Sequence, residues 1–223
     1  MDAAEVPDRP ALTDAWPLFR LRIRSEHLVL RLPTDDELMG LLGVARAGIH
    51  PPDEMPFGVA WTDRRGADFD RAFLQHHWEK RGAWQPDAWW LNLAVLFDGR
   101  PIGSQTIHAT GFATTRTVDT GSWLGRTFQG RGLGTEMRSA ILAFAFDGLG
   151  AAAAESSAFL DNAPSNAVSR GVGYTENGRA SLAPRGESRE TQLWRMTEDA
   201  WRSRERPPVV IEGLDACRSM FGV

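Results

Sequence analysis

The feature that most constrains this chain is a short turn in which glycine occupies three alternate positions. The turn reads Gln129-Gly130-Arg131-Gly132-Leu133-Gly134-Thr135. Residues 117–124 before it alternate as a strand does, and residues 133–146 after it carry apolar side chains at helical spacing. Amides at the start of a helix lack partners within it, and the helix dipole adds about half a positive charge there. Because glycine lets a ligand approach the main chain closely, the turn predicts a site for an anion such as pyrophosphate.

Two familiar nucleotide-binding turns do not match this spacing. A dinucleotide-binding turn needs a third glycine where Thr135 stands. A triphosphate-binding loop needs a lysine directly after a glycine, and the single lysine, Lys80, follows a glutamate. A glycine-rich turn that binds no ligand remains the alternative.

Composition excludes several other classes of protein. The 223 residues are 42% hydrophobic and 24% charged, so the chain is apolar enough to fold and to fill a core. The formal net charge of −4 predicts no nucleic-acid partner and no attraction to anionic membranes. The single cysteine, Cys217, the acidic start and the lack of a long apolar run predict a cytoplasmic protein. His76 and His77 lack metal-ligand spacing, so no metal is expected.

Periodicity and turn signals predict a mixed α+β architecture. Thr34 and Glu37 form a capping box, so a helix begins there and stops near Gly48. The dipeptide Asp98-Gly99 predicts a tight type I′ turn between two strands. The further predicted elements are strands within 18–32, a loop at 50–57, a helix at 68–81, strands at 89–97, 102–108 and 151–159, a short helix after residue 162, and strands near 180–182 and 191–196.

The chain shows no internal repeat and no low-complexity linker, which predicts one domain. Residues 1–16 are predicted to form a loose arm and residues 17–202 the domain. Residues 203–223 are predicted to be a tail that packs on the surface.

Residues 129–134 resemble the Q/R-x-x-G-x-G/A acyl-CoA signature of the GNAT acyltransferases, and they lie between a strand and a helix as in that family. Further stretches look like landmarks of the branch that includes the ribosomal-protein N-terminal acetyltransferases: Leu28-Val29-Leu30-Arg31, Ile102-Gly103-Ser104, Gly121-Ser122-Trp123-Leu124, Asn162-x-x-Ser165 and Gly173-Tyr174. The resemblance covers residues 21–196. It implies a mostly antiparallel mixed sheet, flanked by helices and splayed between its fourth and fifth strands, with acyl-CoA in the opening. It also implies direct acyl transfer from the thioester to an amine, without an acyl-enzyme.

The resemblance also assigns residues to the CoA molecule. The main-chain amides of residues 129–135 would hold the pyrophosphate. Trp123, Leu124 and Gly125 would pair with the pantetheine amides, and Asn162 matches the side chain that contacts the pantetheine arm.

Other assignments of this kind have a structural alternative. Ser165 matches a hydroxyl near the departing sulfur, but it can instead cap the helix that follows. Arg126, Arg131 and Arg170 are candidates for the 3′-phosphate or the adenine, and each can instead be a solvated surface charge.

Acyl transfer to an amine needs a base for the amine and a proton for the departing thiolate. Tyr174 is the only tyrosine, but its place after Gly173 matches a packing position of the family, so Ser165 or water is preferred as the proton donor. The candidate bases are Glu155, Asp119, His108, Asp53 and Glu54, and none of them stands out in the sequence.

In this family, the first helix, the loop after it and the late strands select the acceptor. The residues predicted to bind the substrate are His50, Met55, Phe57, Trp84 and His108. Core packing is the alternative for the tryptophans. The acceptor is expected to be a small-molecule amine or a protein N-terminal amine.

Residues 16–20, 48–57 and 212–217 look like those of actinobacterial GNAT proteins associated with succinyl-CoA. The predicted donor is therefore succinyl-CoA, with acetyl-CoA as the alternative, and Arg116, His108 or His50 is a candidate partner for the succinyl carboxylate. A homodimer is also predicted. The alternative to an enzyme is a CoA-binding sensor or scaffold that performs no transfer.

Overall fold

The computed structural model describes residues 9–223. Half of the predicted arm, residues 1–8, lies outside this range. The strands are β1 (Arg22–Arg24), β2 (Leu28–Arg31), β3 (Ala88–Phe97), β4 (Arg100–Thr110), β5 (Thr117–Leu124), β6 (Ala153–Phe159), β7 (Thr175–Leu182), β8 (Arg189–Thr197) and β9 (Val210–Glu212). The α-helices are α1 (Leu12–Ala15), α2 (Asp35–Ala47), α3 (Gly66–Gly82), α4 (Phe112–Thr115), α5 (Leu133–Ala143), α6 (Ala163–Val172), α7 (Glu198–Arg202) and α8 (Leu214–Cys217).

The strands form a single sheet in the order β7-β8-β6-β5-β4-β3-β2-β1-β9. Every neighbouring pair is antiparallel except β5 and β6, which are parallel. The predicted fold class, a mostly antiparallel mixed sheet flanked by helices, is therefore confirmed.

The two parallel strands pair over only part of their length. They pair at Thr117 with Ala153, Val118 with Ala154 and Asp119 with Glu155. Beyond these positions β5 runs on to Leu124 and β6 to Phe159 without pairing to each other. The resemblance implied a gap between the fourth and fifth strands, whereas here it separates the fifth and sixth, because residues 18–32 supply two strands.

The helices cover both faces of the sheet. Helices α2 and α3 pack on the front face, where Leu41 and Phe73 meet Ala94 of β3. Helix α5 packs on the back face, where Ile141 meets the core residue Ile107 of β4. Because side chains alternate along a strand, consecutive residues within β5, and consecutive residues within β6, point to opposite faces of the sheet.

Two local predictions are confirmed by their hydrogen bonds and backbone angles. At the start of α2, Glu37 N donates to Thr34 Oγ1 at 3.2 Å and Thr34 N donates to Glu37 Oε2 at 2.9 Å, which completes the capping box. Asp98 and Gly99 both have positive φ, 49° and 74°, as the predicted tight turn requires.

The end of the chain does more than cover the surface. Strand β9 pairs with β1 and adds an edge to the sheet. Leu214, Cys217 and Phe221 are buried in the main core. The predicted surface tail is therefore corrected in this respect, because its apolar side chains pack into the main core, where Phe221 contacts Trp84, Trp89 and Phe144. None of the helices in residues 9–223 is long and apolar enough to cross a bilayer.

Candidate functional site

The glycine turn between β5 and α5 presents free main-chain amides. Gly130 and Gly132 have positive φ, 71° and 81°, and a Cβ on either would meet nothing within 4 Å. In the described part of the chain, no protein acceptor binds the N–H groups of the five consecutive residues 130–134. These amides lie at the unprotected N-terminus of α5, which carries no side-chain cap. Together they form a site for an anionic group.

The amides at the two ends of the predicted pyrophosphate segment are already used. Gln129 N donates to the carbonyl of Arg126 at 3.2 Å, and Thr135 N donates to the carbonyl of Gly132 at 3.0 Å. The free amides are therefore those of residues 130–134, a shorter run than the predicted residues 129–135.

Contacts from the end of α2 hold the turn in place. The side-chain amide of Gln129 donates to the carbonyls of Ile49 at 2.7 Å and Leu124 at 2.8 Å. Arg126 N donates to the carbonyl of Gly48 at 3.0 Å. A Cβ at Gly125 would lie 2.5 Å from Val44 Cγ1, so this position requires glycine.

The gap between β5 and β6 opens directly beside this turn. Trp123, Leu124 and Gly125 lie on the length of chain where β5 has lost β6 as a neighbour. At the end of β6, Asn162 caps α6, because its Oδ1 accepts from Ser165 N at 3.2 Å. Ser165 is therefore not the cap, and its hydroxyl makes no hydrogen bond with residues 9–223. The N-termini of α5 and α6 thus flank the gap on the back face.

A row of polar and aromatic side chains crosses the front face. Register pairs Trp90 with His108, His108 with Asp119, Asp119 with Glu155, and Glu155 with Arg195. We call these five residues the polar row. It crosses the sheet at the last paired position of β5 and β6, where the gap begins.

Burial changes the acid–base properties of this row. It raises the pKa of Asp119 above its ordinary value, although the nearby His108 acts in the opposite direction. It lowers the pKa of His108, although Asp119 again opposes the change. The imidazole of His108 stacks on Trp90 with 3.9 Å between ring centroids. Glu155 forms an ion pair with Arg195.

Tyr174 lies on the back face, away from the polar row. It is buried, and its hydroxyl is 3.0 Å from Thr120 Oγ1. Burial raises the pKa of this phenol above its usual value. These surroundings fit the predicted packing role of Tyr174 better than a role as the proton donor of the reaction.

Residues 49–63, which we call the strap, connect the two sides of the gap on the front face. The strap meets the β5 side where Ile49 accepts from Gln129. It meets the β6 side where Arg189 donates to the carbonyl of Met55 at 2.6 Å and also pairs with Asp161 at 2.7 Å.

The strap also contacts the loop between β7 and β8. Arg185 binds both carboxylate oxygens of Asp63, at 2.8 and 2.7 Å. A Cβ at Gly58 would lie 3.2 Å from Leu182 Cδ1, so the strap packs closely on the end of β7.

An aromatic cluster fills the space between the strap and β5. It consists of Phe57, Trp61, Phe69, Phe73 and Trp123, with ring centroids 5.2 to 6.3 Å apart. Trp61 lies at the end of the loop that was expected to select the acceptor, but it was not among the residues predicted to bind the substrate. No local pattern in the sequence brings Trp61 to Trp123.

Two of the remaining predicted substrate residues lie on the strap. The ring nitrogens of His50 contact the Pro51 carbonyl and Thr62 Oγ1, each at 2.8 Å. Met55 is buried, with Thr62 Oγ1 4.0 Å from its sulfur. Trp84, in contrast, is not at the site. It packs on the back face against Trp89 and Phe221, and its indole N–H donates to the carbonyl of Met220 at 2.8 Å.

The candidate arginines have other neighbours. Arg170 lies over Trp194 and 3.9 Å from Glu176, near the far end of α6 from the turn. Arg131 stacks on Phe97 with its guanidinium carbon 5.2 Å from the ring centroid.

Two further features concern the reactive side chains. The buried thiol of Cys217 has its pKa raised to about 11 by burial, so it is a poor nucleophile. In residues 9–223 no three His, Cys, Asp or Glu side chains are grouped as metal ligands.

The sheet opens between two parallel strands and has free helix-start amides at the mouth of the opening, as the resemblance to the GNAT acyltransferases implied. Residues 27–175, more than half of the chain, match the family model described as an acetyltransferase (GNAT) domain. The chain therefore belongs to the GNAT acetyltransferase family.

Solved structures show the same fold. Mycobacterium smegmatis RimJ in complex with CoA-disulfide is 19% identical, with a TM-score of 0.63 over 90% of this chain and 92% of that chain. A GCN5-related N-acetyltransferase from Brucella melitensis is 16% identical, with a TM-score of 0.65 over 82% of this chain and 80% of that one. RimL, a ribosomal L7/L12 alpha-N-protein acetyltransferase in complex with coenzyme A, is 16% identical, with a TM-score of 0.60 over 79% and 97%.

Proposed function

We propose that this protein transfers an acyl group from CoA directly to a primary amine, in a complex that contains both substrates. The observation that carries the proposal is the run of five free amides at residues 130–134. A doubly charged pyrophosphate accepts several such N–H groups at once, and the start of α5 adds a favourable dipole. CoA bound there directs its pantetheine arm into the adjacent gap.

The gap supplies the partners that a pantetheine arm needs. Its amides can bond to the unpaired edge of β5 at Trp123, Leu124 and Gly125, as an added strand would. Asn162 and Ser165 stand at the opposite side, at the start of α6. The thioester then lies within the gap, just beyond the last paired position of β5 and β6, with Asp119 on its front side.

We assign proton removal from the amine to Asp119 together with His108. The two are cross-strand neighbours at the opening of the gap, and burial holds the pKa of the imidazole low enough for it to be neutral at pH 7. A neutral imidazole and a carboxylate beside it can accept a proton, through a water, from the ammonium form of the acceptor, and the neutral amine that results then attacks the thioester. Glu155 is the weaker candidate because Arg195 already binds it. Ser165 or water returns a proton to the thiolate.

Acetyl is the donor group that these surroundings favour. Of the three candidate partners for a succinyl carboxylate, His50 has both ring nitrogens in contact with protein oxygens. Arg116 donates toward the carbonyl of Leu149, behind the sheet. His108 faces the gap, but its lowered pKa leaves it uncharged at pH 7. A succinyl group would therefore lack a cation from this set.

The acceptor belongs on the front face, between the strap and the polar row. A separate cavity of about 320 Å³ lies between the strap and the ends of α2 and α3 and is lined in part by His50, Thr62 and Phe69, with none of the polar row in its lining. We propose a small-molecule amine or a protein N-terminal amine as the acceptor. A cytoplasmic location and a homodimer remain predictions.

The test combines CoA binding with turnover. Calorimetric titration with CoA is expected to show binding, and acetyl-CoA with a panel of amines and short peptides is expected to release thiol. The same peptides with blocked N-termini serve as the control for acceptor chemistry, and succinyl-CoA tests the donor. Binding of CoA without thiol release from any amine would support a sensor or scaffold instead.

A matched pair of variants tests the anion site. Gly132→Asp places a carboxylate among the free amides and is expected to abolish CoA binding. Gly186→Asp makes the same change at another glycine of positive φ, 84° compared with 81°, in an exposed turn. Retained CoA binding in Gly132→Asp would contradict the proposed pyrophosphate site.

A further inference from the structure

Arg138 is a buried arginine that reaches both strands of the gap from the back face. It lies on α5, two turns into the helix, and only 3% of it is exposed. One terminal nitrogen donates to Ser156 Oγ on β6 at 2.9 Å, and the other donates to Ser122 Oγ on β5 at 3.2 Å. Its guanidinium therefore spans β5 and β6 just beyond their last paired position.

The positive charge of Arg138 has no carboxylate partner. Among the described residues, no Asp or Glu oxygen lies within ion-pairing distance of it. Its Nε is also buried without a hydrogen-bond partner. A buried cation without an anion is costly to maintain, so an anionic group that enters the gap would compensate it.

The acidic residues of the polar row do not provide that anion. Asp119 and Glu155 point to the front face, whereas Ser122 and Ser156, which receive the hydrogen bonds of Arg138, point to the back. The titratable neighbour on the back face is Tyr174, a phenol that burial keeps neutral. On the neighbouring turn of α5, Glu136 is directed away, to Ser25 and His27. Helix α6 contributes the buried Ser169, which carries no charge.

We propose that Arg138 stabilises the negative charge that develops on the CoA sulfur as the acyl group leaves. This inference rests on the proposed function, which places the end of the pantetheine arm in the gap. The sulfur comes nearest to the nitrogen bound to Ser122, because Ser122 is only partly buried. A fixed charge in a water-poor site is effective there because it needs no reorganisation when the thiolate forms.

The chemical step balances with this assignment. The amine nitrogen forms a bond to the carbonyl carbon, and the carbon–sulfur bond breaks with its electron pair left on sulfur. The proton lost by the amine passes to Asp119 and His108 on the front face. Arg138 faces the thiolate, which then takes a proton from water, either directly or relayed through the Ser165 hydroxyl, which is reprotonated by the water.

The experiment measures the ionisation of the CoA thiol in the complex. Thiolate absorbance in the ultraviolet is followed as CoA is titrated into the protein, from about pH 7 to about pH 9, which brackets an ordinary thiol pKa. We expect the pKa of the bound thiol to lie below that of free CoA, so that CoA binds more tightly as the pH rises. S-ethyl-CoA, which has no ionisable thiol, is expected to show no such dependence.

Three substitutions separate the charge from the hydrogen bonds. Arg138→Met is expected to return the pKa of the bound thiol to that of free CoA and to lower kcat by about 100-fold. Arg138→Lys keeps the charge and is expected to retain most of the shift. Ser122→Ala removes one hydrogen bond without altering the charge and serves as the packing control, with thermal melting to monitor folding.

The outcomes separate this inference from the function on which it rests. If the unmodified protein binds CoA but the bound thiol ionises as it does in free solution, the role of Arg138 is refuted and the transferase proposal stands. The same conclusion follows if Arg138→Met leaves the shift unchanged. If the unmodified protein does not bind CoA, both proposals fail.

Discussion

At the scale of single residues, Asp119 combines two roles that oppose each other. It closes the pairing of β5 with β6, and its carboxylate is held in a partly buried position beside His108. Burial disfavours the charged form and raises the pKa, which brings the group nearer to the range useful for a base. The same residue therefore contributes to acid–base chemistry and lowers the stability of the fold when it is ionised.

Asp119→Asn is expected to lower kcat by about 100-fold or more, with little effect on KM for acetyl-CoA, because the amide cannot accept a proton. In the unmodified protein, activity should rise with pH as Asp119 loses its proton, and the midpoint should lie above the usual pKa of aspartate because burial raises it. Steady-state rates across pH test this. The exposed Asp68→Asn is the control, and a pH profile that Asp119→Asn leaves unaltered would remove Asp119 from the mechanism.

The same substitution is expected to increase stability at neutral pH. The raised pKa means that the folded state favours protonated Asp119, so its contribution is most favourable below the unfolded value near 3.8 and is lost as the pH rises through the raised value. Urea unfolding at pH 7 should show Asp119→Asn more stable than the parent protein. The difference should shrink as the pH falls toward 4, and a difference that does not depend on pH would argue against this account.

At the scale of elements, the first turn of α2 contributes to the anion site at a distance. Its capping box fixes where the helix begins, and the chain that leaves its other end supplies the carbonyls of Gly48 and Ile49 to the glycine turn. Weakening α2 should therefore loosen both the helix and the glycine turn that it supports.

Thr34→Ala is expected to lower the free energy of unfolding by about 1 kcal/mol, because Glu37 N loses its acceptor. Chemical denaturation measures this, and CoA titration shows whether the turn is affected. Thr114→Ala, on the exposed side of α4, is the control. An equal loss of stability in both variants would mean that the cap is not responsible.

Sequence patterns predicted the elements better than they predicted their neighbours. The capping box, the Asp98-Gly99 turn and the strand-to-helix junction at residues 125–134 are local, so a few consecutive residues determine them. The polar row is not local, because β5 and β6 are joined through a whole helix and their register depends on packing. Trp84 was misplaced for the same reason, since a tryptophan in sequence does not reveal which face of the sheet it covers.

At the scale of the whole molecule, the last residues complete the core. Phe221 is fully buried and lies edge-on to Trp84, Trp89 and Phe144, with centroids 5.0 to 5.6 Å apart. It joins the first long strand of the sheet to the end of α5. The prediction of a surface tail underestimated how deeply this segment is buried, because its apolar residues are few and widely spaced in the sequence.

Phe221→Ala is expected to lower the free energy of unfolding by about 3–5 kcal/mol, because it leaves a cavity between aromatic rings. Equilibrium denaturation measures the change. Met39→Ala removes a large side chain that is 55% exposed and should change stability little. If Phe221→Ala were as mild as Met39→Ala, the end of the chain would not be part of the core.

The strap limits the shape of the acceptor molecules that can be acylated. It is attached on both sides of the gap and therefore passes over the approach to the thioester from the front face. A long polymer that lies flat on this face would collide with the strap, whereas the end of a chain could pass it. The N-terminal amine of a peptide should therefore be acylated, whereas an internal lysine of the same peptide should not. Asp63→Ala removes the ion pair between the strap and Arg185 and should relax this preference for chain ends.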